Sequence, residues 1–256
     1  MRILLTNDDG VHAEGLENLA LVAREFGRIE IVAPDREQSG ASHALTMNRP
    51  VRLRRLDPSR FAVDGTPTDC VLLAVRGLKG AFEQRPDLVL SGINHGSNLG
   101  DDVTYSGTVA AAMEASLFGI PAVAFSLQAG SHPHWETARS VARTVLGRLL
   151  SAPDQLRGLL LNVNIPNCDP AAIRGYRVAR LGRRVYPGEI RERLDPHGRP
   201  YYWIGDTDPV WSEDPDTDYA AVRSGHVALT PLHLDLTDYA GFEAMRALRL
   251  DRNEEG

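Results

Sequence analysis

Short apolar runs and amphipathic stretches alternate along the first two thirds of the chain. Ile3-Leu4-Leu5 is a compact apolar run, the pattern of a strand buried on both faces. After Gly10, residues Gly15 to Phe26 place Leu16, Leu19, Ala20 and Ala23 at helical spacing, and Gly27 closes them. Ile29 to Ala33 repeats the strand pattern, and the polar residues 34–42 mark a loop. Val51 to Val63 reads as a two-strand excursion turning at Asp57-Pro58-Ser59. Thr66-Pro67-Thr68-Asp69 carries the marks of a helix start: an N-cap, a proline at the first position and an acid in the first turn. A strand from Asp87 to Ser91, a glycine-rich loop over 92–107 and a helix from Gly107 to Phe118 come next. Strand Ala122 to Ser126, helix Trp135 to Leu150 and strand Leu159 to Ile165 extend the series. This alternation predicts an α/β fold: a Rossmann-like, mostly parallel sheet with helices on both faces.

The pattern changes at residue 183. The stretch to Gly225 is charged, proline-bearing and aromatic, without helical periodicity. Residues Glu189 to Ile204 read as a β-hairpin turning at Asp195-Pro196-His197-Gly198. A protruding arm with Tyr201, Tyr202 and Trp203 is poorly stabilised alone, so packing against a second subunit is expected. A strand at Val227 to Leu229 and a helix from Tyr239 to Leu250 end the chain. The predicted organisation is an α/β core over 1–182 and, over 183–256, an arm with a terminal strand and helix used in oligomerisation.

Composition narrows the function. A chain of 256 residues with 43% hydrophobic and 24% charged residues can bury a sizeable core. A net charge of −6 disfavours nucleic acid as a partner. Cys70 and Cys168 match no metal-ligand spacing and suggest reduced, buried thiols. No apolar run reaches membrane-spanning length, and a strand pattern starts at residue 2, so a cytoplasmic protein without a membrane partner is expected.

The chemistry concentrates in three loops that follow predicted strands, where open α/β sheets bind their ligands. The first holds Asp8 and Asp9, adjacent like charges that cost stability unless a cation lies between them; a solvated turn or a helix cap explains them equally well in isolation. The second, Asp35 to Ser42, sets hydroxyls beside Gly40, where a ligand can approach the backbone. The third runs from Ser91 to Asp102 and includes Asn94 and Asn98. Carboxylates, an amide oxygen and a hydroxyl are hard donors that suit Mg²⁺ or Mn²⁺ better than Zn²⁺. Thr104 to Thr108 then leads into a helix whose N-terminus, with Ser106, Gly107 and Thr108, could hold phosphate; a plain Ser/Thr N-cap is the simpler reading. A metal site and an anion site in one loop together favour a phosphate ester.

Other familiar sites fail. Gly10 to Gly15 is followed by Leu16 and Glu17, so the P-loop Lys-Ser/Thr is missing, and no G-x-G-x-x-G follows the first strand. Ser39-Gly40 is not a nucleophile elbow, and no H-E-x-x-H occurs. A haloacid-dehalogenase-type phosphatase separates its acids by one residue and wants a lysine, whereas Lys79, the sole lysine, follows a predicted helix. A zinc deacetylase needs a proline where Asn7 stands, and a histidine cluster. A nucleotide-binding module without catalysis is the alternative of a different class.

The segments Thr6-Asn-Asp-Asp-Gly-Val11, Val32-Ala-Pro-Asp-Arg36 with Ser39-Gly-Ala-Ser42, and Gly65-Thr-Pro-Thr-Asp-Cys70 resemble the SurE family. So do Ser91-Gly-Ile-Asn94 with Asn98 to Val103, Tyr105 to Glu114, Tyr201 to Gly205 and Val227 to His233. The pattern departs at Glu14, where proline is common, and at the variable Ser97. The resemblance implies a metal-dependent 5'-nucleotidase that splits nucleoside monophosphates into nucleoside and phosphate. It implies one divalent ion per subunit on Asp8, Asp9, Ser39 and Asn94, and a homodimer or homotetramer with exchanged C-terminal elements. Phosphate contacts are expected from Gly40, Asn98, Ser106, Gly107 and Thr108, with Asp8 or Asp9 orienting the attacking water; direct attack by Asp8 is the alternative.

Overall fold

The computed structural model describes residues 1–77, 84–185, 190–203, 210–212 and 214–248. Elements in chain order are β1 (Arg2–Thr6), α1 (Glu14–Ala23), β2 (Arg28–Pro34), β3 (Leu53–Asp57), β4 (Arg60–Val63), α2 (Pro67–Arg76) and β5 (Leu88–His95). There follow α3 (Gly107–Leu117), β6 (Ala122–Leu127), α4 (Trp135–Leu150), β7 (Leu160–Ile165) and β8 (Tyr176–Val178). The remainder is β9 (Arg184–Val185), β10 (Arg191–Leu194), β11 (Pro200–Trp203), β12 (Val210–Trp211), α5 (Asp218–Arg223), β13 (Val227–Pro231) and α6 (Phe242–Ala247).

Nine strands form one sheet in the order β3-β4-β2-β1-β5-β6-β7-β13-β8. The six from β4 to β7 run parallel, as the alternation predicts. Side chains alternate between its two faces. Ile3 and Leu5 pack with Leu16 and Leu19 of α1 and with Val141 and Leu146 of α4. Leu4 and Val32 pack with Val71 of α2 and with Val109 and Ala112 of α3. Helix α2 begins with the expected cap: the Asp69 N–H donates to Thr66 Oγ1 (3.1 Å) and the Thr66 N–H to Asp69 Oδ2 (2.9 Å).

Four elements differ from the sequence expectation. The segment 51–63 is no excursion, because β4 joins the main sheet beside β2 and β3 forms its antiparallel edge, where exposed Arg54 and Arg55 discourage further pairing. Strand β5 continues past Ser91 to His95 through a register shift between Ser91 and Asn94. Gly92, with φ +119°, makes that irregularity possible, and a Cβ there would collide with the Phe125 carbonyl. Strand β13 lies between β7 and β8, so the terminal strand belongs to the same sheet as residues 1–182. The hairpin β10–β11 turns at Asp195, whose Oδ1 accepts the N–H groups of His197 and Arg199 (both 2.8 Å); its expected ends, Glu189 and Ile204, lie outside the described residues. The terminal helix is shorter than expected, a turn at Tyr239–Gly241 followed by α6, and Leu250 lies outside the described residues. No helix among the described residues is long and apolar enough to cross a membrane.

Candidate active site

Strand order reverses about β1: the chain moves outward through β2 and β4, then returns to place β5 on the other side. The crevice beyond the carboxyl ends of β1 and β5 is thus a topological switch point, the place where such sheets bind ligands. A cleft of about 380 Å³ opens there. Asp8 and Asp9 enter it after β1, Ser39 and Gly40 after β2, and Asn94 from the end of β5. Asn98 and Ser106 also line it.

Backbone hydrogen bonds join the three loops. The Gln38 N–H donates to the Asp8 carbonyl (2.8 Å), and the Ser42 N–H to the Tyr105 carbonyl (3.1 Å). The Ser42 hydroxyl donates to the Thr104 carbonyl at 2.6 Å. The Asn94 amide nitrogen donates to the Gly96 carbonyl at 2.7 Å, so the carboxamide oxygen is not used in that bond and can ligate. The Ser39 hydroxyl donates to Glu37 Oε1 at 2.7 Å, so its oxygen can still accept or ligate.

Two expected phosphate contacts lie behind the cleft wall instead. The fully buried Thr108 donates its hydroxyl to Asp8 Oδ1. Gly107 lets α3 approach that carboxylate, since a Cβ on it would sit 2.8 Å from Asp8 Cβ and 3.1 Å from Pro67 Cγ. Ser106 caps α3, accepting the Val109 N–H at 3.1 Å, and still faces the cleft. Asn98 is fixed on every side. Its N–H donates to Asn164 Oδ1 (2.8 Å), its amide to Ser126 Oγ (2.8 Å), and its carbonyl accepts from Asn162 (2.8 Å) and Asn164 (2.9 Å).

Burial raises the carboxyls of the acidic pair, as it does that of Asp218 away from the cleft lining. Burial lifts the Asp8 carboxyl from an ordinary 3.8 to about 6; the Thr108 hydroxyl opposes the rise and Asp9 adds to it. Burial also raises Asp9, against the N–H of His95, which donates to Asp9 Oδ2 at 3.4 Å, and Glu37 adds to the rise. For Asp8 the displacement corresponds to about 3 kcal/mol against the ionised form. An all-oxygen donor set whose charged members lie side by side, Asp8 buried and Asp9 half-buried, is suited to a hard divalent cation.

Residues that sequence reasoning did not assign also line the cleft. Glu37 sits two residues before Ser39, and Asp102 and Tyr105 lie in the loop before α3. Arg184 arrives from β9, a distant segment with no local motif to announce it. The lysine required by a haloacid-dehalogenase-type site has no counterpart among the residues of the cleft, and Lys79 is outside the described residues.

Comparison with known proteins agrees with this geometry. The model of the family described as "Survival protein SurE" matches residues 3–188. The chain is 48% identical over 248 residues to a protein of Pelobacter propionicus named 5'-nucleotidase SurE, covering 96% of this chain and 98% of that one. A relative of the same name from Gemmatimonas aurantiaca is 50% identical over 240 residues, covering 93% and 94% of the two chains. The crystal structure of the SurE protein from Aquifex aeolicus superposes with a TM-score of 0.83 at 41% identity, covering 97% of this chain and all of that one. The similarity runs through the sheet, the cleft loops and the C-terminal strand alike, and the chain belongs to the SurE family.

Proposed function

We propose that the chain is a divalent-metal-dependent phosphomonoesterase that hydrolyses nucleoside 5'-monophosphates to nucleoside and phosphate. The observation that carries this reading is the convergence of Asp8, Asp9, Ser39 and Asn94 on one cleft that also receives the N-terminus of α3. In this reading those four residues hold one ion, Mg²⁺ or Mn²⁺. Bound there, the ion neutralises charge on the phosphoryl group and makes water a better nucleophile.

The chain's own groups then have separate tasks. Thr108 fixes Asp8 through Oδ1, which orients the carboxylate before any ligand arrives. Asp8 or Asp9 orients the attacking water and takes its proton. The Ser106 hydroxyl, at the N-cap of α3, holds the phosphate oxygens together with Gly40 and Asn98. Release of phosphate from AMP or GMP in the presence of Mn²⁺ tests the reaction; with none from any nucleotide and any divalent ion, the chain is a binding module.

Metal binding has a signature in stability. A folded-state carboxyl raised above its unfolded value loses stability as it ionises. For Asp8 the loss sets in above pH 3.8 and is complete above about pH 6, and Asp9 acts in the same direction. The rise in melting temperature on adding Mn²⁺ is therefore expected to be larger at pH 7.5 than at pH 5. An equal or smaller rise at pH 7.5, read by calorimetry, contradicts the ligand set.

We also propose a homodimer or homotetramer. Ile190, Leu194, Tyr201, Tyr202 and Trp203 are all exposed along the arm, more apolar surface than an isolated hairpin keeps in water. Tyr202→Glu with Trp203→Glu is expected to lower the mass measured by light scattering; an unchanged mass counts against the arm as the interface.

A further inference from the structure

The cleft is strongly acidic for a site that takes phosphate esters. Asp8, Asp9, Glu37 and Asp102 line it, and among its described lining residues Arg184 is the single arginine or lysine. A divalent ion offsets two of those carboxylates, whereas a phosphate monoester brings up to two further negative charges. Arg184 is the chain's own permanent cation at this place.

Its position is built with care. Arg184 stands on β9, at the root of the arm, opposite Trp211 of β12. Its guanidinium pairs with the Asp102 carboxylate and lies 5.8 Å from the centre of the Trp211 ring. Trp211 is itself stacked on Tyr219, with centroids 4.5 Å apart and planes 9° from parallel. The Arg184 N–H donates to Asp101 Oδ2 at 3.0 Å. Buried Asp218 ties the same two segments together, accepting the N–H groups of Gly100 and Gly182 at 2.8 Å each. The Asp102 carbonyl accepts the N–H groups of Tyr105 (3.0 Å) and Ser106 (3.1 Å), so the guanidinium is anchored to the turn that presents Ser106.

We propose that Arg184 is a substrate-binding residue that recognises the anionic phosphoryl group, carried into the cleft by the root of the arm. The inference rests on the phosphomonoesterase reading. A planar fork of five donors can serve a carboxylate and a phosphate together, which an ammonium does less well. Asp102 and Trp211 hold that fork in place, so substrate meets a guanidinium already oriented.

The test compares wild type, Arg184→Gln and Arg184→Lys, each loaded with Mn²⁺. Inorganic phosphate and adenosine are titrated calorimetrically, and AMP hydrolysis is measured in parallel. Arg184→Gln is expected to weaken phosphate binding about tenfold or more and to raise KM similarly, with kcat changed less than about threefold. Adenosine binding stays at the wild-type value, and Arg184→Lys recovers part of the loss. Wild-type phosphate binding in Arg184→Gln overturns the proposal. Equal loss of phosphate and adenosine binding also overturns it, because that marks a collapsed cleft. If wild type releases no phosphate from AMP while Arg184→Gln still loses phosphate binding, the enzymatic reading fails and the anion site stands.

Discussion

Asp9→Ala is expected to lower turnover of nucleoside monophosphates by more than about a hundred-fold while leaving the fold intact. Removing a residue that merely orients a metal ligand costs about 10–100-fold in affinity or activity, and loss of a ligand costs more. The fold tolerates the change because Asp9 contributes little to it: among the described residues its carboxylate accepts one hydrogen bond, the 3.4 Å contact from the His95 N–H. Burial and the Glu37 charge both work against the ionised carboxylate. The metal-free variant should accordingly melt no lower than metal-free wild type at pH 7.5, and Mn²⁺ should raise its melting temperature less. Retained turnover rejects Asp9 as a ligand, whereas a lowered metal-free melting temperature rejects the view that its charge is held there at a cost.

Gly15→Ala is expected to produce the largest loss of stability. Gly15 lies in the first turn of α1, and a Cβ there would overlap the Ile93 carbonyl oxygen and stand 3.1 Å from Trp135 Cη2. Neither neighbour yields cheaply, because Ile93 is held in β5 and Trp135 opens α4. Overpacking costs 1–3 kcal/mol and occasionally more, and a clash with backbone belongs at the upper end, about 3 kcal/mol. The helix propensity gained by alanine, at most about 1 kcal/mol, offsets only part of that. For a chain of this size the melting temperature should fall by about 4–12 °C in a thermal scan. Because Ile93 precedes Asn94, metal affinity should fall as well. An unchanged or raised melting temperature contradicts the packing of α1 against β5.

The parallel sheet was legible because its core strands are short apolar runs and helices α1, α2 and α4 each have one apolar stripe, whereas α3 is small-residue and buried nearly all round. Helix α4 follows the predicted span residue for residue, and the Thr66–Asp69 cap falls where its spacing places it. What escaped depends on contacts distant in sequence. Nothing local says that β4 docks beside β2, or that β13 inserts between β7 and β8. The extension of β5 to His95 was hidden by glycines that read as a loop but form an irregular strand. Asp8, Asp9, Ser39 and Asn94, the ligand set that the family resemblance implies, line one cleft because each follows or ends a strand of one sheet. Thr108 was read as a phosphate donor, since its hydroxyl stands at a helix N-terminus; the structure turns that hydroxyl to Asp8. Arg184 gave no signal, because its place at the cleft depends on Asp102, 82 residues earlier.

The central claim is that a divalent ion held by Asp8, Asp9, Ser39 and Asn94 makes this cleft a phosphatase for nucleoside 5'-monophosphates. Phosphate release from AMP by the chelator-stripped protein, before and after Mn²⁺ is restored, tests it most directly. The predicted result is no release from the stripped protein and full release on restoration. Release undiminished by chelation, or none with any divalent ion, contradicts the claim.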